Sequence, residues 1–80
     1  MGENNVMRAF GERVREIRKH RGWSQEELSH RVGLDRSYIG GVERGERNVS
    51  LKNIHAIAAA LGVPTGRLFD QDNIDGTPLS

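Results

Sequence analysis

Three times between residues 20 and 51 a glycine is followed, two to five residues on, by a side chain suited to opening a helix. Ser24 follows Gly22, Asp35 follows Gly33 and Ser50 follows Gly45. A Ser or Asp oxygen accepts from the unpaired N–H groups of a first helical turn, and glycine supplies the residue on which a helix ends. Gly62 and Pro64 repeat the stop and restart, since the fixed φ of proline suits the first helical position. Between these marks the apolar residues recur at three- and four-residue spacing, which is helical and not alternating. The chain is therefore predicted to be all-α, with five helices and no strands.

The first helix is expected over Val6–His20, with Phe10, Val14 and Ile17 on one face. The second has the clearest start: Ser24 as cap, Glu27 three residues on as a capping box, and Trp23 with Leu28 as a hydrophobic staple. Leu28 and Val32 share its inner face. Asp35 opens a third helix that runs to about Arg44, with Ile39 and Val42 inward. Val49 and Ile54 staple the fourth, whose stripe is Leu51, Ile54, Ile57, Ala58 and Leu61. Pro64 opens a short fifth carrying Leu68 and Phe69. Residues 1–5 and 70–80 are polar and are expected as flexible ends around one domain at 6–69.

Composition limits what such a domain can be. Eighty residues make one domain with a modest core. There is no cysteine, so neither a disulfide nor a thiolate chemistry is available. The longest apolar run, Ala56–Leu61, is far too short for a bilayer, and no secretory signal is read at the start, so a cytoplasmic location without membrane contact is expected. The net charge is only +1, but it is unevenly spread. The stretch from Arg8 to Arg67 holds all twelve basic residues and seven of the eleven acids. The other acids (Glu3, Asp70, Asp72 and Asp75) lie at the ends. A basic body suits a polyanionic partner and is equally what a solvated surface looks like.

The segment Ser24–Gly45 narrows the choice. A capped helix, a turn at Gly33-Leu34 and a second capped helix make a helix-turn-helix, in which two helices cross steeply about a short glycine-containing turn. Here the sequence resembles a known family. The run SQEELSHRVGLDRSYIGGVERGERNVSLKNIHAIAAALGV is similar to the Cro/C1-type, Xre-like helix-turn-helix domain of phage repressors, over about Phe10–Phe69. Within it, DRSYIGGVERGERNVSLKNI also resembles the controller proteins of restriction–modification systems. The resemblance implies a lambda-repressor-like fold and a transcription regulator that binds double-stranded DNA. Its third helix would enter the major groove and its second would lie across the backbone.

The resemblance assigns roles residue by residue. Gln25 matches a position whose side chain and backbone N–H meet a phosphate, a task suited to a helix N-terminus, or it simply fills the capping box. Arg36 and Ser37 match the first groove-facing positions. Arginine can hold guanine O6 and N7 bidentately, and Ser37 is short enough for a base edge or a phosphate; Arg36 is otherwise a solvated arginine or a partner of Asp35. Tyr38 either bonds a phosphate or covers the core edge. Gly40 and Gly41 depart from the pattern, since two glycines within a helix cost about 1 kcal/mol each. Gly41 falls where relatives carry a base-reading side chain. Either close approach to DNA or close packing accounts for the pair. Arg44, Arg47, Asn48 and Lys52 are the further candidates for phosphate contact. The family pattern also pairs Arg18 with Glu43 in a partly buried ion pair.

One recognition helix reads few base pairs, so a homodimer on a palindromic operator is expected. Leu61, Val63, Leu68 and Phe69 are its candidate interface, although Leu61 and Leu68 can equally close the monomer core. Exposed acids such as Glu26 and Glu46 offer RNA polymerase a contact. An enzyme is not expected: His20, His30 and His55 fall on three helices without metal-ligand spacing, and no Gly-rich phosphate loop or Ser-His-Asp signature is present. No cofactor or metal is implied. The alternative reading is an antitoxin or protein-interaction module built on the same fold.

Overall fold

In a computed structural model, which describes residues 3–69, the chain forms four α-helices and a closing 3-10 turn. These are α1 (Glu3–His20), α2 (Gln25–Val32), α3 (Arg36–Glu43), α4 (Leu51–Leu61) and the turn Thr65–Phe69. Among the described residues there is no strand. Two boundaries differ from the sequence reading. Helix α1 starts at Glu3, within the stretch expected to be unstructured, and the fifth helix is a single 3-10 turn. Glu3, Asn4 and Asn5 extend the helix before its first apolar residue, Val6, and apolar periodicity cannot mark a polar first turn. The turn Thr65–Phe69 is five residues long, and the tighter 3-10 form occurs in such short pieces. Residues 1, 2 and 70–80, including the expected tail, lie outside the described residues.

The caps stand where the sequence puts them. Ser24 accepts from the Glu27 N–H at 3.0 Å, and Ser50 from the Asn53 N–H at 3.1 Å. The capping box at Ser24 is half closed, because the Glu27 carboxylate turns to Arg31 at 2.7 Å. Between α2 and α3 the chain reverses at Gly33, whose φ of 82° a side chain would oppose. The Gly33 and Leu34 N–H groups both bond to the Ser29 carbonyl, at 2.8 and 3.1 Å, which closes the turn.

Phe10, Val14, Leu28, Ile39, Val42, Ile57, Ala58, Leu61 and Leu68 form the buried core, drawn from every element. Helix α1 packs on α3 and on the 3-10 turn, while α2 packs on both α3 and α4. Gly11 permits the first of these contacts. A Cβ there would stand 2.1 Å from the Val42 carbonyl oxygen and 2.8 Å from that of Glu43. The backbones of α1 and α3 are therefore close enough that only glycine fits. Arg21 reaches from the end of α1 to the Leu61 carbonyl with two bonds, at 2.8 and 3.1 Å, and so satisfies the last turn of α4. Leu51 was expected in the inward stripe of α4; it is 84% exposed. It is the first residue of the helix, and a periodic pattern does not say where packing stops.

Candidate nucleic-acid interface

Helix α3 has two unlike halves. From Ile39 to Glu43 every residue is buried. Glu43 lies against Arg18, with Arg18 Nε 2.7 Å from Oε2 and Arg18 Nη2 3.0 Å from Oε1. A third guanidinium nitrogen of Arg18, Nη1, donates to the Trp23 carbonyl at 2.7 Å. Gln25 Nε2 also donates to Glu43 Oε1, at 3.0 Å. The carboxylate thus accepts three bonds and links α1, α2 and α3. Both side chains are largely shielded from water, at 9% and 2% exposure. A buried pair supplied with this many hydrogen bonds offsets its desolvation, and losing one partner strands the other charge.

The opening turn of α3 faces solvent. Asp35, Arg36 and Ser37 are all exposed. Asp35 caps the helix, accepting from the Ser37 N–H at 3.1 Å and from the Ser37 hydroxyl. Those two bonds, with the Arg36 charge beside it, hold its carboxyl below the usual aspartate range. No hydrogen bond or ion pair with a described residue engages Arg36. Its guanidinium, with five donors in a planar fork, is available for a partner.

The remaining candidates surround the far side of the helix. Tyr38 is half-buried: its ring packs on the core edge and its hydroxyl accepts from Asn53 Nδ2 at 3.2 Å. Asn53 was not singled out by the sequence reading, and it ties α4 to α3. Arg47 lies across α3, with its guanidinium 5.6 Å from the Tyr38 ring centroid, a cation–π distance. It occupies the space Gly41 leaves, since a Cβ on Gly41 would meet Arg47 Cγ at 2.9 Å. Gly40 is similarly covered, by Arg44 Nη1 at 3.2 Å and Gln25 Oε1 at 3.5 Å. Both glycines are buried beneath these side chains. Arg44 pairs with Glu46 at 3.1 Å on the surface, and Asn48 and Lys52 are exposed.

The Gln25 side chain, expected on a phosphate, gives one of its two amide hydrogens to Glu43; the other amide hydrogen and the opening N–H groups of α2 are not engaged by that bond. Leu61 and Leu68, expected at a dimer interface, are each 1% exposed and belong to the monomer core. They sit inside because the 3-10 turn packs on both α1 and α4. Val63 is half-buried, and Phe69 is 46% exposed with its ring 5.2 Å from Phe10. Among the described residues no group of His, Asp or Glu is placed to hold a metal, and no helix is long and apolar enough to cross a membrane.

Comparison with known proteins agrees with this geometry. The HTH_3 helix-turn-helix family model matches residues 14–68. The chain is 48% identical over 68 residues to control protein C.BamHI of Bacillus amyloliquefaciens, covering 84% of each chain. It is 44% identical over 67 residues to the Neisseria hypothetical transcription factor of Neisseria meningitidis, covering 84% of this chain and 63% of that one. The crystal structure of the restriction-modification controller protein C.AhdI from Aeromonas hydrophila is similar at a TM-score of 0.77 and 56% identity, over 79% of this chain and 96% of that one. That of the biofilm regulator SinR in complex with DNA is similar at 0.73 and 32%, over 76% and 98%. With the capped α2, the Gly33 turn and the half-exposed α3 in place, the chain belongs to the HTH_3 helix-turn-helix family.

Proposed function

We propose that this protein is a sequence-specific, double-stranded DNA-binding transcription regulator of the cytoplasm, acting as a homodimer on a palindromic operator. The observation that carries the reading is the division of α3. Its inner half is locked to α1 and α2 through Glu43, while its first turn presents an unengaged Arg36 at the surface. A side chain meant for the major groove needs both a rigid support and a free end. Arg36 supplies bidentate donors for guanine. Arg44, Arg47, Asn48 and Lys52 supply contacts to phosphate, as do the opening N–H groups of α2 at Gln25. Tyr38 joins them through its hydroxyl proton, which the Asn53 bond leaves free.

Val63 and Phe69 form the contact across the dimer axis, the apolar candidates not consumed by the core. The likeness to C.BamHI and C.AhdI supports a controller role in a restriction–modification system, regulating its own promoter. Glu26 is the exposed acid open to RNA polymerase, since Glu46 is paired with Arg44. The test is selection of bound duplexes from a random library, followed by light scattering of the complex. A palindromic consensus bound by two chains is expected. Failure to enrich any duplex at moderate ionic strength would overturn the reading.

A further inference from the structure

We infer that Ser37 reads its base as a hydrogen-bond acceptor only, and so selects an exocyclic amino group, adenine N6 or cytosine N4, in the major groove. The inference rests on the DNA-binding reading above and specifies what the second position of α3 recognises.

A serine hydroxyl has one proton to give and two lone pairs to receive with. In isolation it suits a donor or an acceptor equally, which is why serine is a weak reader of sequence. Here the proton is committed. The Ser37 hydroxyl lies on Asp35 Oδ2, the same oxygen that accepts the Ser37 backbone N–H. Of the two groups only the hydroxyl has a hydrogen to offer, because the carboxyl is held in its ionised form by those bonds and by the neighbouring Arg36 charge. A proton bound to an anion is held more firmly than one shared between neutral groups. What Ser37 turns outward is its lone pairs.

The donor and acceptor pattern of the groove then sorts the bases. Adenine N6 and cytosine N4 donate there, whereas guanine O6, thymine O4 and the purine N7 atoms only accept. Phosphate oxygens also only accept, so Ser37 contributes no bond to the backbone. Arg36 and Ser37 are thereby opposite in polarity: adjacent residues, one all donor and one all acceptor. Asp35 holds a dual role, capping α3 and fixing the polarity of the residue two positions on.

A cycle of residue and base substitutions tests this. Bound duplexes are first selected for the wild type and for Ser37→Ala, which keeps the Asp35 cap through the backbone N–H. The base pair whose preference differs is then altered one atom at a time. Replacing adenine by purine, or cytosine by 2-pyrimidinone, removes the amino group; replacing a purine by its 7-deaza form removes N7. Removal of the amino group should weaken wild-type binding about three- to tenfold and leave Ser37→Ala unchanged. The 7-deaza change should affect both proteins equally. Ser37→Thr, which keeps the hydroxyl, should retain the wild-type preference. If Ser37 couples instead to N7, O6 or O4, or to no base while the wild type still selects a consensus, the inference is wrong. A wild type that selects no duplex overturns the DNA-binding reading itself, and the inference with it.

Discussion

The two ends of helix α3, Arg36 and Glu43, are seven residues apart along the chain and have opposite tasks. At Glu43 a carboxylate is shut away from water and bound by Arg18 and Gln25. At Arg36 a guanidinium of opposite charge stands in solvent with no described hydrogen-bonding partner. The same ridge of helix therefore converts burial at one end into precise placement at the other. A helix this short, with only Ile39 and Val42 as buried large apolar residues, has little hydrophobic area of its own to fix its angle. The ion pair supplies the orientation that a longer helix would obtain from packing.

That contrast can be broken from the inside first. Glu43→Ala leaves Arg18 buried without its partner and should cost about 3–5 kcal/mol, enough to unfold much of a domain this size. Thermal melting followed by circular dichroism checks it, and a wild-type melting temperature would contradict the assignment of Glu43 to the fold. Gly11→Ala comes next. It forces α1 away from the Val42 and Glu43 carbonyls and should cost about 1–3 kcal/mol or more by overpacking, read in the same melt.

Such substitutions also measure how far the sequence alone could be read. The caps at Ser24, Asp35 and Ser50 and the Gly33 turn were legible because each is a local solution to unpaired N–H groups or positive φ. The Arg18–Glu43 pairing was legible through family resemblance alone, since nothing in spacing joins residues on separate helices. Gly11 carried a faint signal, a costly glycine inside a helix, but its meaning needs the position of α3. Leu51 misled, because helical spacing identifies a face and not the extent of the neighbour that covers it. Leu61 and Leu68 were ambiguous for the related reason that an apolar residue near a chain end serves a core and an interface equally well. Asn53 gave no sign at all of its bond to Tyr38, which depends on how two helices meet.

The outer end offers smaller effects on stability and sharper ones on binding. Gly41→Ala adds a methyl where Arg47 Cγ now lies, 2.9 Å from the new atom. Because Arg47 is long and exposed, it can move aside. The helix gain of alanine, about 1 kcal/mol, and the cost of turning Arg47 off the Tyr38 ring from Cγ outward oppose each other, so melting should change by no more than about 1 kcal/mol. Duplex affinity should fall, and so should the slope of affinity against salt, by about one unit for the lost phosphate contact. Arg47→Ala should give the same binding phenotype with the glycine intact. A Gly41→Ala protein that binds like wild type would show that the place of Arg47 over α3 does not matter.

The smallest effect concerns acid pH. The folded-state pKa of Asp35 is lowered by its bonds to Ser37 and by Arg36. Its contribution to stability is therefore present above the ordinary aspartate range and is lost as pH falls through the lowered folded value. The difference in melting temperature between wild type and Asp35→Ala should be constant near neutrality and shrink in acid. A difference that persists unchanged through the acid range would remove Asp35 as an ionised cap.

Arg36→Ala bears on the division of α3 most directly, because it removes the free guanidinium and, within the fold, only its charge beside the Asp35 cap. Its melting temperature should equal that of wild type, while the duplexes it selects should lose preference at one base pair in each half-site, worth about 1–3 kcal/mol. If the variant instead selects the wild-type consensus with undiminished strength, the exposed turn of α3 is not what reads DNA.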